Sequence, residues 1–310
     1  MTRVLELPAA FPPDFAEPSA RARWCCEHLE AGNILFFPKT PFEMPAEDID
    51  LLLSQRQSGA GYHKNVAYRP NQDRLTGYAE RDAAHLGRLH AAMKGYSQLA
   101  ERFASGLLAP YAPAWRLDFT SFRPQQEQGR ALRLRARNDL LHVDSFPTRP
   151  SNGDRILRLF TNINPQEPRV WITSETFDAL AARYAGSAGL PLPKPLSAMR
   201  RAGSELAQAV GLRRWTSTPY DRWMLRFHHF LKEHEEFQRT APRSRWEFPP
   251  QSTWLVFTDM VSHAVLSGQF ALEQTFIIAR HSLVTPEKAP VSILEGRAGG
   301  ALTLKRGTRG

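Results

Sequence analysis

The alternation of apolar and polar positions divides the chain into helical and strand-like stretches. Between Ser19 and Leu108 apolar residues recur with the spacing of amphipathic helices, as in AHLGRLHAAMKGYSQLAERFASGLL. The earlier stretch ARARWCCEHLEAG ends at a glycine, which commonly terminates a helix. We therefore predict that residues 1–112 form a mainly helical N-terminal region with a scaffolding role.

Beyond residue 112 the pattern changes to short β-rich runs. RLDFTSFRP, DLLHVDSF and DRILRLFTNINP are each closed by proline or polar residues, as strands separated by turns are. Helical periodicity returns at about 174–240, and strand-like runs resume with STWLVFTDM, SHAVL and LEQTFIIA. This order predicts a β barrel or sandwich with a helical insertion between its strands.

The chain contains no repeat, low-complexity segment or long Gly/Ser linker that would mark a domain boundary. We therefore predict one decorated domain over residues 1–310. It comprises the N-terminal region 1–112, a β core at 113–285 that contains the insertion, and a C-terminal tail at 286–310. An apolar content of 42%, with 18 Phe and 7 Trp, is enough to build a sizeable core.

The charge balance favours an anionic partner. Forty Lys and Arg against 31 Asp and Glu give a net charge of +9, which suits phosphate, nucleic acid or an acidic membrane surface. The two cysteines, Cys25 and Cys26, are adjacent and cannot form a disulfide framework or a Cys-based zinc site. The sequence shows no apolar signal core and no stretch long enough to cross a bilayer. We expect a cytoplasmic protein, at most peripheral to a membrane.

His142 and Asp144 are the most informative chemical pair in the sequence. Alternate residues of a strand share a face, so a strand through LLHVD would place the imidazole and the carboxylate side by side. A 2-His-1-carboxylate triad of this kind holds Fe(II) and leaves open positions for other ligands. His263, just after the apolar run TWLVF, is the candidate third ligand, because a barrel can bring distant strands to one point.

A competing histidine cluster lies in DRWMLRFHHFLKEHEEF, which is helical by pattern. His234 and Glu236 would lie about 200° apart around the helix axis and cannot share a metal ion. His228 is the better rival ligand. The alternative interpretation of most of this cluster is a partly solvated helix face, and that of His142 is a buried histidine hydrogen-bonded to Asp144.

Three blocks of the sequence resemble the Kdo hydroxylase family: HVDSFPTRPSNGDRILRLFTNINP, YDRWMLRFHHFLKEHEEFQ and TWLVFTDMVSHAVLSGQFALEQTF. Its members are Fe(II)/2-oxoglutarate-dependent dioxygenases that act on 3-deoxy-D-manno-oct-2-ulosonic acid (Kdo) of lipopolysaccharide. The resemblance spans about residues 115–294. It implies an α+β fold with a double-stranded β-helix (jelly-roll) core, N-terminal helices packed against it, and iron bound by His142, Asp144 and His263.

2-Oxoglutarate brings a distal carboxylate, for which arginine is the preferred partner because its guanidinium can bind both oxygens. In much of the superfamily this arginine follows the distal histidine by ten or eleven residues, where the present chain has Glu273 and Gln274. The chain therefore departs from the common pattern. Arg280, in RHS, follows His263 by seventeen residues and is a less favoured alternative.

The strand DRILRLFTNINP offers a replacement for the missing arginine. Its alternation places Arg158 and Asn162 on a face that mixes polar and apolar residues, as a site-lining face does. We predict that Arg158 and Asn162, with Arg123 of the preceding strand, bind the co-substrate, and that Arg137 and Arg226 bind the anionic acceptor. The alternative is a structural Arg158 paired with a carboxylate.

The resemblance implies hydroxylation at C3 of Kdo in a lipid A glycolipid, with O₂ consumed and succinate and CO₂ released. It also implies that nucleic acid is not a partner, and the basic charge is compatible with peripheral contact at the cytoplasmic face of the inner membrane. Two other hypotheses are compatible with the sequence. One is the same oxygenase chemistry on another substrate, and the other is a non-enzymatic binder of anionic glycolipid or nucleic acid.

Overall fold

The computed structural model describes residues 2–9, 11, 17–56, 65–78, 82–197 and 217–304. Most of the expected helix in LSAMRRAGSELAQAVG, and the tail beyond residue 304, lie outside these ranges. The helices are α1 Pro18–Glu30, α2 Ala46–Leu53, α3 Ala83–Leu107, α4 Phe177–Tyr184, α5 Pro219–Glu233, α6 Glu235–Thr240 and α7 Pro290–Ala298. The strands are β1 Val4–Glu6, β2 Ile34–Phe37, β3 Val66–Arg69, β4 Arg74–Thr76, β5 Arg116–Arg123, β6 Arg155–Asn162, β7 Arg169–Thr176, β8 Ser244–Phe248, β9 Thr253–Phe257, β10 Val261–Ser267 and β11 Ala271–Ile278.

Two sheets form the β core. The larger has the strand order β1-β2-β9-β6-β11-β5-β3-β4, and the smaller has the order β10-β7-β8. Aromatic rings connect the two sheets, since Trp171 of β7 lies 4.9 Å from the ring of Phe160 on β6 and 5.7 Å from that of Trp254 on β9. The predicted α+β class with a jelly-roll core is confirmed, and helices α4 to α6 lie between β7 and β8 in the chain.

The N-terminal region contributes strands as well as helices. Strands β1 and β2 extend the large sheet beyond β9, and β3 and β4 extend it beyond β5. Each of these four strands has only three or four residues, which is too short for an alternating pattern to stand out in the sequence. The region therefore completes both edges of the sheet, which our helical interpretation did not foresee.

Helix α3 covers the outer face of the large sheet. Its buried residues recur at helical spacing, and Asp82 caps its N-terminus by accepting a hydrogen bond from His85 N. Ser97 donates to the side chain of Gln274 on β11 at 2.8 Å. Gln274 therefore points away from the barrel interior, and its neighbour Glu273 points into it.

Within its described residues, the helical insertion departs from the sequence prediction at His234. The stretch YDRWMLRFHHFLKEHEEFQ forms two helices, because the backbone of His234 leaves the helical conformation and its side chain caps α6 by accepting from Phe237 N. Helix α5 begins with a capping box between Thr218 and Asp221. This fixed start positions His228 of α5 beside the β core. No helix of the described residues is long and apolar enough to cross a membrane.

Candidate metal centre

His142 and His263 are neighbours through their backbones. His142 N donates to His263 O at 3.1 Å, and His263 N donates to His142 O at 2.9 Å. Two residues that exchange both hydrogen bonds project their side chains to the same face, and the two imidazole centres lie 4.7 Å apart. The predicted strand through His142 is reduced here to this single bridge.

Asp144 completes the pair expected from the sequence. Its Oδ1 lies 3.6 Å from His142 Nε2. Its Oδ2 is buried and makes no hydrogen bond within the described part of the chain, although Arg158 Nη2 lies 3.0 Å away as an ion-pair partner. A buried carboxylate oxygen that lacks a hydrogen bond is a feature that a bound cation would satisfy.

His228 is a fourth member of this group. One ligand atom from each of His142, Asp144 and His228 can be chosen so that all lie within 4.8 Å of one another, whereas His263 falls outside that set. The ring of His263 instead stacks on Trp171, with centres 5.2 Å apart and planes 17° apart. The structure therefore brings the rival ligand His228 close to the predicted triad. His228 and His263 are both candidates for the third ligand.

The three histidines use the same ring nitrogen to contact the backbone. Each Nδ1 faces a backbone carbonyl: His142 faces Leu140 at 2.7 Å, His228 faces Val143 at 2.7 Å, and His263 faces Val261 at 2.8 Å. An Nδ1 in this position carries the proton, which leaves the Nε2 lone pair free to bind a metal. Backbone carbonyls commonly orient metal-binding histidines in this way.

The protonation states also suit metal binding. Burial lowers the pKa of His142 well below its ordinary value, lowers that of His263, and lowers that of His228 to about 4. Burial is the strongest single influence on Asp144 and opposes its ionisation, but Arg158 and the other polar groups around the carboxylate together outweigh burial and hold the pKa of that carboxyl well below its usual range. At neutral pH the group therefore offers neutral imidazoles and an ionised carboxylate, the forms that bind metal ions.

Arg158 connects the candidate metal-binding residues to a buried ionic network. Its Nη1 lies 2.7 Å from Glu273 Oε1, and Nη2 contacts Asp144. Arg123 Nη2 lies 2.5 Å from the other oxygen of Glu273. Although burial disfavours ionised Glu273, the two arginines outweigh it and lower its pKa. We call Arg123 and Arg158 the arginine pair.

A second carboxylate extends the network beyond Arg123. Glu127 is 7% exposed and lies 3.7 Å from Arg123, 3.5 Å from Arg169 and 3.6 Å from Arg130. Glu127 had no signal in the sequence, because its importance comes from neighbours that are distant along the chain. Four arginines (123, 130, 158 and 169) face three carboxylates (127, 144 and 273), which leaves one positive charge among these described residues.

Asn162 has a structural position. It points inward as the strand alternation predicted, but its Nδ2 donates to the carbonyls of Glu167, Phe248 and Pro249, and its Oδ1 accepts from Asn164 N. These contacts hold the turn after β6. They do not support the predicted role in co-substrate binding, because the amide is already engaged by the backbone.

The other predicted arginines lie at or near the surface. Arg137 pairs with Asp139 at 2.6 Å and lines a cavity of about 470 Å³ with Arg130. Arg226 is exposed on α5. The rival Arg280 binds Glu295 at 2.8 Å in the C-terminal part of the chain. Arg137 and Arg226 are therefore accessible to an acceptor, but neither is part of the buried ionic network described above.

A basic and aromatic surface lies next to the candidate metal-binding residues. This surface was not predicted from the sequence. The Arg149 guanidinium lies 3.9 Å from the ring centre of Phe119 and 4.2 Å from that of Phe146, and it also pairs with Asp118. Phe146 lies 5.6 Å from the Arg158 guanidinium. Its position two residues after Asp144 was the available signal in the sequence.

The donor set fits Fe(II) together with a dicarboxylate. Imidazole and carboxylate ligands suit non-heme iron, and the surplus positive charge beside them suits an added carboxylate. The model for the 3-deoxy-D-manno-oct-2-ulosonic acid (Kdo) hydroxylase family matches residues 14–301. The chain belongs to the Kdo hydroxylase family. The predicted family, and with it the classification as an Fe(II)/2-oxoglutarate-dependent dioxygenase, is confirmed.

Solved structures of the Kdo hydroxylase KdoO, a non-heme Fe(II) alphaketoglutarate (2-oxoglutarate) dependent dioxygenase, are similar over almost the whole chain. The complex with alphaketoglutarate and Fe(III) is 32% identical, with 99% of both chains covered and a TM-score of 0.80. The cobalt(II) complex is 33% identical, with the same coverage and TM-score. The complex with succinate and Fe(III) is 32% identical, with 99% of both chains covered and a TM-score of 0.79. No match was found among curated proteins.

Proposed function

We propose that this enzyme hydroxylates C3 of Kdo in a lipid A glycolipid, using Fe(II), 2-oxoglutarate and O₂ and releasing succinate and CO₂. The observation that carries the proposal is the juxtaposition of two buried groups within a Kdo hydroxylase family fold. One is the cluster of neutral histidines around ionised Asp144, and the other is the arginine pair. When bound, Fe(II) supplies the activation of O₂ that insertion into a C–H bond requires.

We assign iron binding to His142, Asp144 and His263. His142 and His263 belong to the β core and are fixed to each other by two backbone hydrogen bonds, whereas His228 is carried by the helical insertion. Trp171 stacks on the His263 ring and restrains its orientation. In this assignment His228 lies beside the metal on the α5 side, where it can contact the co-substrate or the acceptor.

We assign the distal carboxylate of the co-substrate, 2-oxoglutarate, to the arginine pair. Both guanidinium groups are largely buried, with side chains 13% and 15% exposed, so a carboxylate bound there is shielded from competing water. Arg158 also contacts Asp144, which sets the carboxylate subsite directly beside the metal ligands. The protein thus orients the co-substrate through charge and a fixed strand geometry.

We assign the acceptor to the accessible basic residues. The cavity that Arg137 lines is of a size that accommodates a sugar, and Arg226 lies on the helix that carries His228. The sugar carboxylate and the phosphates of lipid A would bind these cations. The net charge of +9 favours approach to an anionic membrane surface, and we propose peripheral contact there.

The direct test is incubation of the purified enzyme with a Kdo-containing lipid A glycolipid, Fe(II), 2-oxoglutarate and O₂. The proposal expects the sugar to gain one oxygen atom at C3, with succinate formed in equal amount, and ¹⁸O₂ should label the new hydroxyl. Omitting 2-oxoglutarate or O₂ should stop both products. Oxidation of a different compound would remove the sugar from the proposal, and the absence of succinate under every condition would favour a binding protein without activity.

A further inference from the structure

Glu273 occupies the place between the two arginines assigned to the co-substrate. It lies on β11, is 2% exposed, and gives one oxygen to each arginine, at 2.7 Å to Arg158 and 2.5 Å to Arg123. The terminal carboxylate of a bound dicarboxylate would adopt the same arrangement. A protein carboxylate therefore already fills the subsite that the proposed function gives to 2-oxoglutarate.

The subsite cannot hold two carboxylates in this arrangement. Nη1 of Arg158 is bound to Glu273 and Nη2 to Asp144, so both ends of its guanidinium are engaged. A second anion added between the same arginines would lie against Glu273 in a buried site, where like charges repel strongly. Glu273 must move, at least from one arginine, for a second carboxylate to bind.

The surroundings of Glu273 provide for such an exchange. The Nε atoms of Arg123 and Arg158 are buried and have no hydrogen-bond partner among the described residues, so each arginine retains an unused donor. Thr275 donates to Glu273 Oε1 at 3.0 Å and can hold the carboxylate when an arginine releases it. The network carries one surplus positive charge, which an incoming carboxylate would neutralise.

We propose that Glu273 is an internal counter-anion that keeps the arginine pair in place in the free enzyme, and that 2-oxoglutarate binds by displacing it. This inference rests on the proposed function. It explains how two buried arginines remain side by side without co-substrate. It also makes co-substrate affinity the outcome of a competition between two carboxylates, so that a ligand without a distal carboxylate has nothing with which to displace Glu273.

The competition predicts that removing the charge of Glu273, a residue inside the binding site, strengthens co-substrate binding. Glu273→Gln keeps the size of the side chain but removes the charge, so 2-oxoglutarate should bind more tightly. If the subsite is free of Glu273 in one molecule in ten, the apparent Kd of the wild type is raised about tenfold, and the variant recovers that factor. Glu273→Asp keeps the charge but is one methylene shorter and cannot reach both arginines, so it should tighten binding less.

Glu127→Gln is the matched control. It removes one negative charge from the same network, beside Arg123, but not from between the two arginines. If the tightening came only from a more positive site, Glu127→Gln would produce it as well as Glu273→Gln. Displacement predicts a clear gain for the change at position 273 and little gain for the change at 127.

The experiment is calorimetric titration of the co-substrate 2-oxoglutarate into the Co(II)-loaded wild type and the three variants, with thermal melting of each in the presence and absence of the co-substrate. Displacement predicts an about tenfold lower Kd for Glu273→Gln and a larger rise in its Tm on adding 2-oxoglutarate. Unchanged or weaker binding in both position-273 variants, or equal tightening in Glu127→Gln, would overturn the inference alone. If Glu273→Gln does not fold, Glu273→Asp decides the direction. Failure of the wild type to bind 2-oxoglutarate would overturn the proposed function and the inference with it.

Discussion

Replacing Arg158 by methionine removes a cation that contacts two buried carboxylates at once. The guanidinium lies 3.0 Å from Asp144 and 2.7 Å from Glu273, and the side chain is only 13% exposed. Methionine retains much of the apolar volume but offers no donor. In Arg158→Met, the distal carboxylate of the co-substrate therefore loses a partner while its own desolvation remains.

The size of the loss follows from the burial of the pair. Truncating one partner of a buried, hydrogen-bonded charge pair costs about 2 to 5 kcal/mol. This corresponds to a rise in the Kd for 2-oxoglutarate of about 30-fold to several thousand-fold. The pKa of Asp144 should rise as well, because Arg158 is the main group that favours its ionised form. As the pH is lowered, the variant should therefore lose its metal at a higher pH than the wild type does.

Calorimetric titration of the co-substrate into Co(II)-loaded protein measures the change directly. Arg280→Met is the matched control, because the same residue types are exchanged where the guanidinium binds Glu295 and Ser292. It should leave the Kd for 2-oxoglutarate nearly unchanged. Normal binding in Arg158→Met together with lost binding in Arg280→Met would refute the assignment of the co-substrate subsite.

Three further predictions concern stability and the acceptor. In metal-free protein burial lowers the pKa of His228 to about 4. The contribution of this histidine to the free energy of unfolding is therefore complete above about pH 6.5 and is lost as the pH falls toward 4. Denaturant titrations should show that the free energy of unfolding of His228→Asn decreases less over this pH range than that of the wild type. Asn162→Ala should lower the free energy of unfolding by about 1 to 3 kcal/mol, because buried carbonyls lose their donor, without a selective rise in the Michaelis constant for the co-substrate. Arg137→Gln and Arg226→Gln should raise the Michaelis constant for the glycolipid more than that for the co-substrate, and added salt should act in the same direction because exposed charges are screened; equal effects on both substrates would contradict this role.

Five strands of the core (β5, β6, β9, β10 and β11) could be predicted because each carries its own local pattern, whereas β7 and β8 were not among the predicted strands. The alternation along β6 placed Arg158 on the inner face, and the structure finds it there against Asp144 and Glu273. The same alternation placed Asn162 correctly but could not show its partners, since these are carbonyls distant in the chain. Local spacing predicts on which face of a strand a residue lies, whereas the role of that residue depends on the groups that it contacts in the folded protein.

Long-range features were less accessible from the sequence. The four short N-terminal strands are too brief to display periodicity, and the break at His234 depends on a side-chain cap rather than on a helix-breaking residue. The choice between His228 and His263 could not be made from spacing, because both come near His142 only when the barrel and the insertion are assembled. The family resemblance is the reason that our assignment favours His263, and this choice stays a prediction.

The proposed function depends on metal binding by His142, Asp144 and His263, which we have assigned as the ligands. The most direct measurement is the Co(II) stoichiometry of purified His263→Ala and His228→Ala, with circular dichroism to show that each variant is folded. We expect His263→Ala, like His142→Ala and Asp144→Ala, to lose tightly bound Co(II), and we expect His228→Ala to retain about one equivalent. Retention of Co(II) by His263→Ala with its loss in His228→Ala would contradict this ligand assignment and place the third ligand on helix α5.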